Sequence, residues 1–155
     1  MLSQVPAPKS LMLDTNVVLH VTRDRSPVAA NINAQFGLSA SQFRPAICEV
    51  TVGELLAFAQ SETWGKPRAD ALRREFDRCL IIPISTPGVR ERWAHLRSAI
   101  KRKGITIGDN DLWIAAAAHV QELTVLTTDR DFERLAKLQL VRAIVLDAKT
   151  GVRRL

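Results

Sequence analysis

Four acidic residues, Asp14, Glu54, Asp111 and Asp129, are far apart in the chain, yet each stands where an apolar run ends or a helix begins. Asp14 closes Leu11-Met12-Leu13, and Glu54 sits three residues into the helix start Thr51-Val52-Gly53-Glu54. Asp111 opens the run Leu112-Trp113-Ile114 with its four following alanines, and Asp129 follows Val125-Leu126-Thr127. Carboxylates gathered within a few ångströms repel and raise one another's pKa unless cations neutralise them. Hard divalent cations accept such oxygen ligands and keep several waters. If the four converge, they form a shared metal-binding pocket.

Each acid taken singly has a structural explanation. Asp14, ahead of Thr15-Asn16-Val17-Val18, could cap a helix. Thr51-x-x-Glu54 fits a capping box, in which the glutamate reaches back to the amide of the cap residue. Asp109 and Asp111 favour the positive end of a helix dipole, and either Asp129 or Asp131 could cap the next helix. The joint pattern argues for more than capping, because every one of these positions carries a carboxylate where neutral Ser or Asn would serve equally well.

The elements that must position these acids are short apolar strands at 11–14, 45–50, 80–84, 123–127 and 143–146, with helical stretches between them. Pro67 starts a segment with Ala69, Leu72, Phe76 and Cys79 at helical spacing. Val89, Trp93, Leu96 and Ile100 repeat the pattern, and that helix ends in Lys101-Arg102-Lys103 before Gly104, either a basic patch for RNA or an ordinary basic last turn. Alternating strands and helices predict an α/β fold: a mostly parallel five-stranded sheet flanked by helices. Crossovers in such a sheet put helix starts above the carboxyl ends of strands, so all four acids should share one edge. If the first and fourth strands are neighbours, Asp14 and Asp129 flank the crevice where strand order reverses.

Length and composition bound the rest. The chain has 155 residues, enough for one buried core, and is read as one domain over 1–155 with its core at about 9–147. The tails at 1–9 and 149–155 are polar or basic and expected to be less ordered than the body. Charged residues make up 25% and hydrophobic residues 46%, a globular balance. Net charge is +6, with pI ≈ 10.0, which suits a polyanionic partner. Cys48 and Cys79 sit among apolar residues without ligand spacing and read as two buried thiols. The start of the chain lacks the apolar core of a signal peptide and no run could span a bilayer, so a cytoplasmic protein with no membrane partner is expected. No phosphate-loop, dinucleotide or nucleophile-elbow motif occurs, and His20, His95 and His119 are scattered.

In order and spacing, Leu13-Asp14-Thr15-Asn16, Thr51-x-x-Glu54-Leu55, Asn110-Asp111-Leu112-x-Ile114-Ala115-Ala116 and Leu126-Thr127-x-Asp129-x-x-Phe132 resemble the successive motifs of PIN-domain ribonucleases, especially the VapC-type toxins of bacterial toxin–antitoxin pairs. The resemblance implies a three-layer α/β/α fold and a metal-dependent endoribonuclease, with RNA as substrate, usually a homodimer, inhibited by a VapB-like antitoxin. It casts Asp14, Glu54, Asp111 and Asp129 as the catalytic acids. Asp14, Asp111 and Asp129 would bind Mg²⁺, or Mn²⁺ in its place, with Glu54, Asp109 and Asp131 as further candidate ligands and Asn16 and Thr127 as polar supports. Asp109 departs from the pattern, since many relatives have a neutral residue or proline there.

Two other readings stay open at this stage. Gly108-Asp109-x-Asp111 resembles the late acidic motif of haloacid-dehalogenase-like phosphatases, with Asp14 as nucleophile, although Asn16 cannot supply the acid that mechanism needs two residues later. A non-catalytic RNA-binding module would use the basic surface and keep the acids only as caps. Arg73, Arg74, Arg97 and Lys101 are the basic residues expected to meet phosphates.

Overall fold

Leu11, Met12 and Leu13 are all buried, which is what a central strand covered on both faces requires. A computed structural model describes residues 10–23, 26–38 and 44–154 of the chain. In it this run forms β1 (Leu11–Leu13), followed by α1 (Thr15–Val21), α2 (Pro27–Phe36), β2 (Ala46–Cys48), α3 (Glu49–Ser61), α4 (Lys66–Arg78) and β3 (Leu80–Ile82). The second half comprises α5 (Val89–Arg102), α6 (Asp109–Val120), β4 (Thr124–Thr127), α7 (Asp131–Lys137) and β5 (Ala143–Val145).

The five strands pair in parallel in the order β3-β2-β1-β4-β5. Alternate side chains go to opposite faces. Met12, Ala46, Cys48, Val125 and Val145 join Leu96 and Ile100 of α5, the apolar face of α6, and Phe132 and Leu135 of α7. Leu11, Leu13, Ile47, Leu126 and Ile144 pack instead with Val17, Val18, Ile32, Leu55 and Leu72 from α1 to α4. The result is the expected α/β/α sandwich. The chain builds outward from β1 to β3, then crosses to place β4 on the other side of β1. That reversal is the topological switch point of the sheet.

Local chemistry explains the element boundaries. Ser26 caps α2 by accepting the Ala29 N–H, Pro27 occupies its first turn, and Gly37 ends it at φ +63°. The strands at 45–50 and 80–84 are shorter than the apolar runs suggest. α3 begins directly at Glu49 with Cys48 at its cap position, and Pro83 follows β3, whose ladder stops at Ile82. In α5, Val89, Leu96 and Ile100 are buried, while Trp93 stacks on Trp113 of α6 with ring centroids 4.9 Å apart. Cys48 and Cys79 are buried on opposite faces of the sheet, and burial pushes their thiols up to about 11 and about 12.

The described part of the carboxyl-terminal tail, through residue 154, makes backbone and side-chain hydrogen bonds to the body. Leu146 and Arg153 form an antiparallel bridge, and the Arg154 N–H donates to the Val145 carbonyl at the outer edge of β5. Asn31 and Gln35 of α2 donate to the carbonyls of Thr150 and Gly151, both at 2.6 Å, and the Arg153 N–H donates to Gln35 Oε1. Polar side chains of α2 thus tie down a segment with little apolar content. The other tail, at 1–9, lies outside the described residues. Among the described residues no helix is long and apolar enough to cross a membrane.

Candidate active site

Asp14 stands at the switch point. It follows β1, its backbone N–H extends the ladder to the Leu126 carbonyl, and its own carbonyl accepts the first N–H groups of α1. Its side chain is 2% exposed, and both oxygens are committed. Oδ1 accepts the Thr15 N–H at 2.8 Å, while Oδ2 accepts from Thr127 Oγ1 at 2.6 Å and Asn16 Nδ2 at 3.0 Å. Asn16 also anchors the loop after β4, because the Thr128 N–H donates to its Oδ1 at 2.9 Å. The expected supports, Asn16 and Thr127, therefore both touch Asp14.

The loop between β4 and α7 supplies two more acids. Thr127 Oγ1 accepts the Asp129 N–H, and Asp129 Oδ1 accepts the Asp131 N–H, both at 2.9 Å. Asp111 comes from the first turn of α6, across the crevice. Carboxylate oxygens of Asp111, Asp129 and Asp131 can all lie within 4.8 Å of one another, a spacing one cation could bridge. This triad differs from the expected Asp14, Asp111 and Asp129. Asp14 lies deeper, drawn toward Thr127 and Asn16 by its hydrogen bonds, whereas the turn that binds the Asp131 N–H to Asp129 brings the Asp131 carboxylate alongside. Asp131 also meets Arg134 Nη1 at 3.4 Å.

Glu54 occupies the groove in a different way from that expected of a capping box. The helix has already started at Glu49, so Thr51 and Glu54 lie inside α3 and Glu54 has no cap to close. Thr15 Oγ1 instead donates to Glu54 Oε1 at 2.8 Å and lies 3.3 Å from Thr51 Oγ1, tying α1 to α3 across the cleft. Asp109 is directed elsewhere. Its carboxylate is exposed and pairs with Arg97 Nε at 3.7 Å, and its backbone carbonyl accepts from Trp93 Nε1. Two residues apart on α6, Asp109 and Asp111 point to roughly opposite sides of the helix, one outward and one into the cleft.

Asp14, Glu54, Asp111 and Asp129 line one open cleft of ≈ 550 Å³, with Thr15, Asn16, Leu19, Ala57, Phe58 and Ser61 completing its wall. Thr15, Leu19, Ala57, Phe58 and Ser61 are the lining residues that sequence reasoning missed. Glu54, Phe58 and Ser61 recur at the four- and three-residue spacing of one helix face, a pattern that could have placed Phe58 beside Glu54.

The electrostatics of the cleft favour a cation. Burial, followed by the charges of Asp14, Asp129 and Glu54, pushes Asp111 up to about 7. Burial also raises Asp14, and Asp129 adds to that rise, outweighing the hydrogen bonds from Thr127, Thr15 and Asn16. Four carboxylates this close cannot all stay ionised without positive charge among them. The donors present are carboxylate, hydroxyl and amide oxygens, which suit a hard divalent ion better than the soft metals that take thiolate or imidazole. The residues therefore fit a metal of that class.

Comparisons with known proteins agree with this geometry. A family model described as PIN domain matches residues 11–138. Ribonuclease VapC2 of Haemophilus influenzae is 30% identical over 129 residues, covering 83% of this chain and 93% of its own. Among solved structures, the DNA-bound VapBC of Salmonella typhimurium matches with TM-score 0.67 and 26% identity, over 86% of this chain and 96% of that one. The VapBC2 structure from Rickettsia felis, bound to a DNA fragment from its promoter, shares the fold with TM-score 0.71 at 24% identity, over 86% and 96% of the two chains.

Proposed function

The chain belongs to the PIN-domain family, and we propose that it is a metal-dependent endoribonuclease acting as the toxin of a toxin–antitoxin pair. The observation that carries this reading is the meeting of Asp14, Glu54, Asp111 and Asp129 in one cleft at the switch point. Ribonuclease VapC2, which covers most of the chain, supports the activity. The VapBC complexes support an antitoxin partner of the VapB kind. RNA is the substrate, the working form is a homodimer, and the protein acts in the cytoplasm as a single PIN-like domain. The phosphatase alternative loses its footing, because Asn16 is held between Asp14 and Thr128 where that mechanism needs an acid.

Asp111, Asp129 and Asp131 would hold Mg²⁺, or Mn²⁺ in its place, with Asp14 beneath them as ligand or as the charge that keeps the ion in the cleft. When bound, the ion neutralises charge on the phosphodiester oxygens and lowers the pKa of attacking water. The protein's own part is positional. Thr127 and Asn16 fix Asp14, and the turn at Asp129 orients Asp129 and Asp131. Thr15 holds one oxygen of Glu54, and the other, uncommitted among the described residues, would orient water toward phosphorus. Hydrolysis then breaks one P–O bond as water adds, and the leaving oxygen takes a proton.

The test is to express the chain with and without its neighbouring gene product and sequence RNA 5′ ends. Discrete new ends with the native chain, absent with Asp14→Ala and suppressed by the partner, are the expected result. The same ends with Asp14→Ala would refute the assignment.

A further inference from the structure

Away from the acids, the cleft wall turns largely apolar. Leu19 of α1 and Ala57, Phe58 and Ser61 of α3 carry its wall outward. Just past the end of α1 stand Thr22 and Arg23, which with Pro67, Arg68 and Ala71 line a second hollow of ≈ 360 Å³. α1 advances about 10 Å from Thr15 to Thr22, a reach of a few nucleotides. The Arg68 guanidinium lies 3.6 Å from the centre of the Trp64 ring, and Trp64 meets Phe58 with ring centroids 6.3 Å apart. Phe58 is 41% exposed. A row of Phe58, Trp64 and Arg68 therefore joins the acidic cleft to a pair of arginines.

Among the described residues, no carboxylate comes within ion-pair distance of Arg23 or Arg68. Nε and Nη2 of Arg68 are shielded from solvent and meet no acceptor among the described residues. Burial and the neighbouring Arg23 both disfavour the charge on Arg68, and Glu62 offsets this only from a distance. Unmade hydrogen bonds at a shielded guanidinium are costly, and the Trp64 stack compensates only in part. A planar guanidinium matches phosphate in two-pronged fashion, and Arg68 lines the hollow beside Arg23.

We propose that Arg23 and Arg68 form a phosphate-binding subsite for the RNA strand as it leaves the catalytic cleft, with Phe58 as a stacking surface for the base between. The proposal rests on the ribonuclease reading above. It answers a difficulty in that reading, because a cleft lined with carboxylates repels a polyanion until something beside it attracts one. Trp64 holds the plane of Arg68, and the exposed ring of Phe58 offers the sequence-tolerant stacking used by single-stranded RNA sites. An acidic peptide would use the two charges but has no need of the aromatic row. Arg23 and Arg68 are positioning residues: they act on the strand and not on the reacting phosphorus.

The test measures binding of a short fluorescein-labelled single-stranded RNA by anisotropy across a salt series, with Mg²⁺ present. The full chain carries Asp14→Asn so that no strand is cut. Arg23→Ala and Arg68→Ala should each weaken binding several-fold and lower the slope of log affinity against log salt by about 0.7. Phe58→Ala should weaken binding with the slope kept, and Arg68→Lys should restore the slope without full affinity. In the otherwise native chain, Arg23→Ala should raise KM with little change in kcat. Unchanged slopes in both arginine variants, with melts showing folded protein, would overturn the subsite. So would tighter binding of a labelled oligoglutamate through the same arginines, which would make an acidic protein segment the occupant. Failure of the native chain to cut RNA with Mg²⁺ or Mn²⁺ removes the ribonuclease reading, and the subsite is judged separately by the binding slopes.

Discussion

Thr127 Oγ1 donates to Asp14 Oδ2 at 2.6 Å, and the same oxygen accepts the Asp129 N–H at 2.9 Å. One buried hydroxyl therefore sets the distance between the acid that closes β1 and the acid that follows β4. Thr127→Val keeps the shape and removes that link. Because partners that orient ligands typically contribute 10- to 100-fold to affinity or activity, kcat should fall by about that range. Stability should drop by about 1–3 kcal/mol from the groups left unpaired. Steady-state kinetics with a urea melt checks both, and full activity would show that Thr127 serves only the fold.

The elevated pKa of Asp111 links metal, pH and stability. Its carboxyl lies at about 7 in the folded chain against an ordinary 3.8, so the metal-free folded state keeps a proton that the unfolded state releases within that interval. The contribution of this group to stability is therefore highest below the lower value and declines as pH rises through the interval. Divalent metal competes with that proton, so binding should release it. The expected result is a larger Tm gain from Mg²⁺ near about pH 8 than near about pH 5.5. Asp111→Asn should raise the metal-free Tm at the higher pH and flatten the difference. Equal gains at both pH values in the native chain would contradict this.

Asp109 and Asp111 offer a contrast on one helix. Asp109 is exposed and pairs with Arg97, whereas Asp111 lines the cleft. Asp109→Asn should leave cleavage within about twofold and cost at most about 1 kcal/mol, the scale of a surface ion pair. Asp111→Asn should abolish metal-dependent cleavage while the chain stays folded. Comparable losses from both would place Asp109 in the site.

Much of this was legible in the residues themselves. Leu11-Met12-Leu13 and Val125-Leu126-Thr127 announce central strands because a strand covered on both faces must be apolar throughout. The acids after them announce the carboxyl edge. Thr51 to Glu54 misled, because a capping-box pattern inside a helix looks the same as one at its start, and only the end of β2 at Cys48 fixes which it is. The direction of Asp109 could not be read either. Residues two apart in a first turn point roughly 200° around the helix from one another, so one misplaced boundary exchanges which of them faces the cleft. The Thr15 bridge to Glu54 joins residues of separate helices, and no local pattern encodes such a meeting.

The tail carries its own test. Gly151 sits at φ +74°, and a Cβ there would stand 2.7 Å from the Val28 carbonyl oxygen and 3.0 Å from Val28 Cγ1. Gly151→Ala adds left-handed strain to a clash with α2, so a loss of about 1–3 kcal/mol is expected in a urea melt. RNA cleavage well below the melting range should be unchanged, because the contacts of the tail are with α2 and the edge of β5. An unaltered melt would mean that the tail does not clasp α2 in solution.

The central claim is that the acid cleft is a metal-dependent ribonuclease centre. The most direct measurement incubates the purified full chain with labelled single-stranded RNA and resolves the fragments over time. It compares Mg²⁺, Mn²⁺, excess chelator, and Asp14→Asn with its fold confirmed by melting. The account predicts discrete fragments with either metal, none with chelator, and none from Asp14→Asn at any metal concentration. Cleavage that survives both the chelator and Asp14→Asn would contradict it.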